Sequence, residues 1–525
     1  MSTARDSLRG LIPAAMKAFE TGASLPLAAY AASFTGDTQT FKHSLQDGGD
    51  LIDLAVEESA RLFSAQTGAA LRRELEENFH ALTANHHGVD FHPEFMQGNL
   101  LFAMNCRHAV PLFSCGGVPG NNVAYPRGIL LGRGDPDNPD KPGMTWRPGR
   151  LPVLPDKNRH TLVSVQPPFG ERPVRAALAA LPRKRLTLNE RETATRILHE
   201  IYLHPRVLGQ ASFREQASVM NALLWERLAA PECGLPPLAA LDMQCLSGRL
   251  IARDIGRTHT LIHDLLLEPP LASAVREELD GERACWTTSD RGQARGTFLF
   301  WGVDEAGKAL ALAPSADFRE LYAVGRPQWR IPLRPEALRD GLERLYLLPS
   351  LFLLFTAIAL ARGLLCAGGV FQSTYLPRMA SGLAAALRRC GENALADRVT
   401  VLSPSCTGLL PLRLPWPDAA SREKKAVGRA AGALDLAAGG GLSAPLWERV
   451  RHVLVADALA VSLPYHYEDL LGEKTDDAIM TALMRDAATA SHLPMLPSAE
   501  PNSQCNGPER EKSSAAGGDS GDAYA

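Results

Sequence analysis

Two short apolar runs, each ending in a glycine pair, constrain this chain most. His108-Ala-Val-Pro-Leu-Phe-Ser-Cys115 runs into Gly116-Gly117, and Gly363-Leu-Leu-Cys-Ala runs into Gly368-Gly369. Neither run alternates apolar with polar residues. Each therefore reads as a strand buried on both faces, the habit of parallel sheets covered by helices. Glycine beyond such a strand permits positive φ and close approach of the backbone to a ligand. Ligands of open parallel sheets bind beyond the carboxyl ends of the strands. Neither pair completes a dinucleotide fingerprint or a P-loop.

The rest of the chain fits an α/β protein. Helical spacing dominates residues 1–82, where Leu71, Leu75, Phe79 and Leu82 oppose Arg72, Arg73, Glu76 and Glu77. Residues 83–416 read as the core, with a helical insertion at about 189–279, and 417–496 as a C-terminal helical segment. Within the core, Tyr125 to Gly132 and Val399 to Ser403 look strand-like. Gly296 to Leu312 reads as a hairpin turning at Asp304 to Gly307, and Thr374 to Cys390 as a helix. Prolines and glycines between Gly132 and Asp156 predict a loop. Residues 497–525 are polar and glycine-rich, which predicts a disordered tail.

Composition narrows the function. A net charge of −3 over 525 residues gives no drive toward nucleic acid or an anionic membrane. The apolar stretch Leu345 to Ala361 is 17 residues long and contains Pro349, Ser350 and Thr356. A spanning helix needs about 20 residues, so this stretch predicts a buried core helix. Nine scattered cysteines, none in a Cys-x-x-Cys pair, suit reduced thiols, and no apolar leader opens the chain. A cytoplasmic protein is expected.

Three constellations could carry chemistry. Gln97, Asn99, Asn122 and Arg127 supply amides and a guanidinium for directed hydrogen bonds, or cap loops. His86, His87, Asp90 and His92 offer three imidazoles and a carboxylate within a few residues, at a spacing that fits no metal motif and equally suits a polar loop. Cys115 and Cys366 end the two strands, where a nucleophile or a small buried hydrophobe would fit. His263-Asp264 and His466 with Glu468 read as packing or surface residues.

The order of these elements resembles the bacillithiol-synthesis cysteine ligase family. The stretches that carry the resemblance are Leu82 to Gly88, Gln97-Gly98-Asn99-Leu100-Leu101 and Val110-Pro111-Leu112-Phe113. Later come Gly296 to Trp301, Leu348-Pro349-Ser350, and Gly368-Gly369-Val370-Phe371-Gln372 with Tyr375. Two departures stand out. The family's acidic run after the first strand is Cys115 to Pro119 here, and its Gly-Glu is replaced by Val370-Phe371-Gln372.

The resemblance implies a Rossmann-like parallel sheet core. It also implies a ligase-like enzyme that joins or modifies an amine- or carboxylate-bearing metabolite. Gln97, Asn99, Gly116, Gly117, Asn122, Arg127, Gly368, Gly369, Gln372 and Tyr375 would line its pocket. The sequence itself requires no cofactor and leaves any nucleotide or metal requirement unknown. The competing expectations are a metal-dependent hydrolase using His86, His87, Asp90 and His92, and a non-catalytic binding protein that kept the fold. Both Gly–Gly turns are expected at one mouth of a single sheet.

Overall fold

The structure is a computed structural model. It describes residues 2–34, 45–131, 149–184, 186–288, 295–399, 405–415, 426–471, 475–490 and 493–496. A parallel sheet of five strands forms the core: β1 (His80–Leu82), β2 (Val110–Ser114), β5 (Leu238–Asp242), β11 (Leu365–Gly368) and β12 (Ser405–Cys406). Their spatial order is β12-β11-β1-β2-β5, every neighbouring pair parallel. The chain winds outward from β1 through β2 to β5, then returns to lay β11 and β12 on the other side of β1. The order thus reverses between β1 and β11.

These strands are mostly apolar because both faces are covered, and their polar residues, His80, Ser114, Asp242 and Ser405, stand at strand ends. Leu82, Leu112, Ala240 and Ala367 point into one core, with helices Pro13–Thr21, Phe213–Leu228 and α1 (Pro93–Ala103). Their neighbours Ala81, Phe113, Leu241 and Cys366 point into the other, with helices Gly49–Leu62, Ala65–Glu77 and Met243–Asp254. This is the period-2 alternation of a strand sorted between two apolar layers.

β1 lies inside the stretch expected to be the N-terminal helical segment, and β5 inside the expected helical insertion. Leu238-Ala-Ala-Leu-Asp242 is as alanine-rich as a helix, and Asp242 at once caps the next helix by accepting from Gln244 N at 2.9 Å. What makes these residues a strand is the paired edge of β2, residue by residue from Val110↔Leu238 to Ser114↔Asp242.

A second sheet, β10-β6-β7-β8-β9, is antiparallel. It holds the expected hairpin, β6 (Phe300–Val303) and β7 (Ala309–Pro314), followed by β8 (Glu320–Ala323), β9 (Arg326–Pro332) and β10 (Leu347–Pro349). Asp304 Oδ1 accepts from the backbone of Ala306 and Lys308, and Gly307 takes φ +73°, which closes the turn.

The apolar stretch 345–361 is therefore not one helix. Leu347–Pro349 pairs with β6, Ser350 caps Leu351–Phe355, and a π turn continues through Thr356–Leu360. Among the described residues no helix is long and apolar enough to cross a membrane. Part of the expected 132–156 loop is also a strand. β4 (Gly149–Pro152) pairs antiparallel with β3 (Gly128–Leu131). The strand expected at 399–403 falls almost wholly outside the described residues, as does the 497–525 tail.

One buried cation ties the second core together. Arg362 is 1% exposed and donates to Asp50 at 2.7 and 2.9 Å, to Asp254 at 3.0 Å from each terminal nitrogen, and to Ala357 O at 2.9 Å. Helices Gly49–Leu62 and Met243–Asp254 and the π turn thus share one guanidinium.

Candidate functional site

Because the sheet is parallel, β1, β2, β5, β11 and β12 deliver their carboxyl ends to one side. Both glycine pairs stand there, separated by β1. In open parallel sheets a ligand's crevice lies beyond the strand ends where the order reverses, which here is between β1 and β11.

β1 continues as Thr83-Ala84-Asn85-His86. β11 continues through Gly368 to Phe371 into α2 (Gln372–Arg389). Thr83 N donates to Ala367 O at 2.9 Å. Gln372 folds back across the strand ends and donates from Nε2 to Thr83 Oγ1 at 2.8 Å. Its Oε1 is buried with no hydrogen-bond partner among the described residues.

The glycines serve space rather than φ. None of the four has a positive φ. A methyl on Gly368 would fall on the Gln372 amide, and one on Gly116 would fall on Ser164 Oγ and within 2.7 Å of the Asp242 carboxylate. Gly116 N also donates to Gln244 Oε1 at 2.8 Å, and Gly117 packs against the same amide. That turn is filled by its own protein. Gly116→Ala should cost about 1–3 kcal/mol of stability through overpacking, read as a lower urea midpoint with an unchanged slope. Gly369 differs. It is partly exposed, and its missing Cβ would lie 3.1 Å from Glu94 Oε1.

Glu94 sits in the first turn of α1. Burial, and then the charge of Asp469, push its carboxyl up to about 7. No hydrogen bond or ion pair holds it among the described residues. Arg283 lies on the same mouth, its guanidinium carbon 3.9 Å from the centre of the Phe371 ring, with no carboxylate at ion-pair distance among the described residues. Arg283 is within electrostatic range of Asp469 and Tyr375. Tyr375 is within range of the Cys115 and Cys366 thiols, and burial holds its hydroxyl well above the usual range.

His86 enters from the end of β1. Nδ1 lies 3.2 Å from Asn122 Oδ1, the ring meets Phe95 edge-on, and burial lowers its pKa so that it stays neutral.

The structure therefore brings Gly116, Gly117, Asn122, Gly368, Gly369, Gln372 and Tyr375 to one side of the sheet, with the space at Gly116 and Gly117 taken by Ser164, Asp242 and Gln244. It commits Gln97, Asn99 and Arg127 elsewhere. Gln97 clamps two loops, donating to Leu412 O and Ala431 O and accepting from Leu412 N. Asn99 donates to Asp90 and accepts from Asn85. Arg127 is buried and donates to Leu154 O and Asp156, which pins the chain after β4 and leaves the guanidinium turned to its own protein. Cys115 and Cys366 are pushed by burial up to about 11 and about 12, so both remain thiols. His466 meets Gly408 O at 2.6 Å, a packing role.

The His86, His87, Asp90, His92 set does not gather around one point. His87 spends both ring nitrogens, on Ser114 Oγ at 2.6 Å and Arg214 O at 2.8 Å. Asp90 accepts from Asn85 and Asn99, and His92 reaches the Tyr465 hydroxyl at 3.4 Å.

Sequence reasoning missed Glu94, Arg283 and Asp469. No local spacing links residues this far apart. Glu94 after Pro93 reads only as an acid in a first helical turn, where acids are common.

No family model matches the chain. Neither a curated protein nor a solved structure matches it either.

Proposed function

We propose that this chain is a Rossmann-like, ligase-like enzyme that joins or modifies an amine- or carboxylate-bearing metabolite in the crevice between β1 and β11. The observation that carries the reading is the pair Glu94 and Arg283, opposite charges without ion-pair partners among the described residues, flanking the point where the strand order reverses. Glu94 and Asp469 suit an ammonium group, and Arg283, braced on Phe371, suits a carboxylate. A carboxyl near 7 can take the proton that an ammonium must lose before its nitrogen attacks. The cysteine ligase resemblance supplies the reaction class. All eight described cysteines are unpaired, which suits a reducing cytoplasm.

A second reading, a binding protein without catalysis, is favoured by the Gly116-Gly117 turn. Ser164, Asp242 and Gln244 fill the place next to the missing acidic run.

Thermal-shift screening against amines, amino acids and carboxylic acids tests the proposal. A stabilising ligand should lose its effect in Glu94→Gln and in Arg283→Ala, while the unliganded melting temperature stays near that of the parent. Binding of an amine should strengthen as pH rises through about 7, where Glu94 ionises, and Glu94→Gln should abolish that dependence. If no compound shifts the protein and metabolite pools are unchanged in a strain lacking it, the proposal fails. Binding with unchanged pools would leave the second reading.

A further inference from the structure

At the amino end of β1, away from the crevice, three buried side chains of different chemistry meet. Glu74 lies near the end of helix Ala65–Glu77, His80 opens β1, and Cys106 follows α1. One donor atom from each lies within 4.8 Å of the others. We propose that Glu74, His80 and Cys106 bind one thiophilic divalent cation of the zinc type, as a structural site.

The donor set is a carboxylate, an imidazole and a thiol, all ordinary zinc ligands. Glu74 Oε1 and His80 Nε2 are 3.2 Å apart. Around an ion with ligands at about 2.0–2.3 Å, tetrahedral geometry places donors roughly 3.3–3.8 Å apart, so this edge is already near the required length. The carboxylate is held in place from behind. Its other oxygen, Oε2, accepts from Arg107 N and His108 N at 2.8 Å each, which leaves Oε1 to His80 and to a long 3.4 Å contact from Asn78 Nδ2.

Hydrogen bonding alone leaves this group incomplete. His80 is 1% exposed, and its Nδ1 is buried without a partner among the described residues. With the proton on Nε2, facing Glu74, Nδ1 keeps a bare lone pair. With the proton on Nδ1, a donor is buried without an acceptor, and the Nε2 lone pair faces the carboxylate. Either way the buried Nδ1 stays unsatisfied, at a cost of about 1–3 kcal/mol, and only the second form leaves the Nε2 lone pair free for an ion. The Cys106 thiol makes only a weak contact, to Phe102 O at 3.5 Å.

With the imidazole proton on Nδ1, lone pairs of Glu74 Oε1, His80 Nε2 and Cys106 Sγ converge with no hydrogen between the oxygen and the nitrogen, and a cation there supplies the missing electrophile. Binding would release the thiol proton to solvent as the sulfur–metal bond forms. The ion would join helix Ala65–Glu77, β1 and the connection from α1 to β2. Its role is independent of the crevice.

The test uses the full reduced chain without an affinity tag, loaded with zinc and dialysed into metal-free buffer. Mass spectrometry of the metal should find a single retained equivalent, and a chelator should lower the melting temperature. Cys106→Ala should weaken zinc binding well beyond the roughly 10–100-fold typical of losing an outer-shell partner, while a His86→Ala, His92→Ala double variant keeps its zinc. Cobalt(II) provides a second reading that a folding defect cannot imitate. The parent protein should show a thiolate-to-cobalt charge-transfer band, absent in a folded Cys106→Ala variant. The proposal is overturned if zinc-treated parent protein holds no zinc, if Cys106→Ala binds it as tightly as the parent, or if no thiolate band appears.

Discussion

Arg362→Leu is expected to lower the free energy of unfolding by about 3–5 kcal/mol, the range for breaking a buried ion pair from one side. The cause is what remains behind. Asp254 is fully buried, and its carboxylate loses both donors from Arg362. Asp50, 21% exposed, can turn to water and suffers less. Leucine matches much of the stem's apolar contact, so the loss reports the stranded charge rather than a cavity. Urea unfolding measures it. Adding Asp254→Leu to Arg362→Leu should recover part of the deficit, because the orphaned carboxylate is gone. A loss below about 1 kcal/mol, the worth of an exposed pair, would mean that Asp254 finds water in the variant.

The second large effect depends on pH. Asp90 is buried at the start of the α1 region, where Oδ2 accepts from Asn85 at 2.9 Å and Asn99 at 2.7 Å. Those hydrogen bonds favour the ionised form, but burial outweighs them and pushes the carboxyl from 3.8 up to about 7. The folded state therefore holds this proton more tightly than the unfolded chain. The resulting stability is full below pH 4 and is lost as pH rises toward 7. About three pH units at roughly 1.4 kcal/mol each give about 4 kcal/mol in all. Asp90→Asn keeps an oxygen for both amides and carries no charge. It should be more stable than the parent by a few kcal/mol at pH 8, with the gap closing toward pH 4. Unfolding curves across that range decide the matter. Parallel pH profiles for parent and variant would show that Asp90 ionises freely in the folded protein.

How much of this was legible in the sequence depends on the range of the interaction concerned. The runs that became β2 and β11 were readable because burial on both faces removes alternation, and that is a local property. The turn at Asp304 to Gly307 was readable because its hydrogen bonds are internal. β5 was not, because Leu238-Ala-Ala-Leu-Asp242 becomes a strand only through the edge of β2.

The crevice was half visible. Gln372 and Tyr375 follow a glycine pair, whereas Glu94, Arg283 and Asp469 come from three separate parts of the chain. The glycines themselves stood where expected for another reason. Gly116 and Gly368 make room for Asp242, Ser164 and Gln372, and no pattern of neighbours in the sequence could have named those partners. Arg127 had the chemistry of an anion ligand, but Leu154 O and Asp156 already use it.

The placement of β1 has a consequence for synthesis on the ribosome. One edge of β1 pairs with β2 as soon as both have emerged, and β5 follows at Leu238, 128 residues beyond Val110 (238 − 110). The other edge waits for β11, whose Leu365 aligns with His80 across 285 residues (365 − 80). Throughout that interval a nascent chain with half a sheet exposes an unpaired strand edge, a template for pairing with other chains. Pairing across such a separation is also intrinsically slow. Chains halted before residue 365 should therefore be the aggregating species, and a chaperone that shields the edge of β1 during elongation should raise the yield of native protein more than one supplied after release.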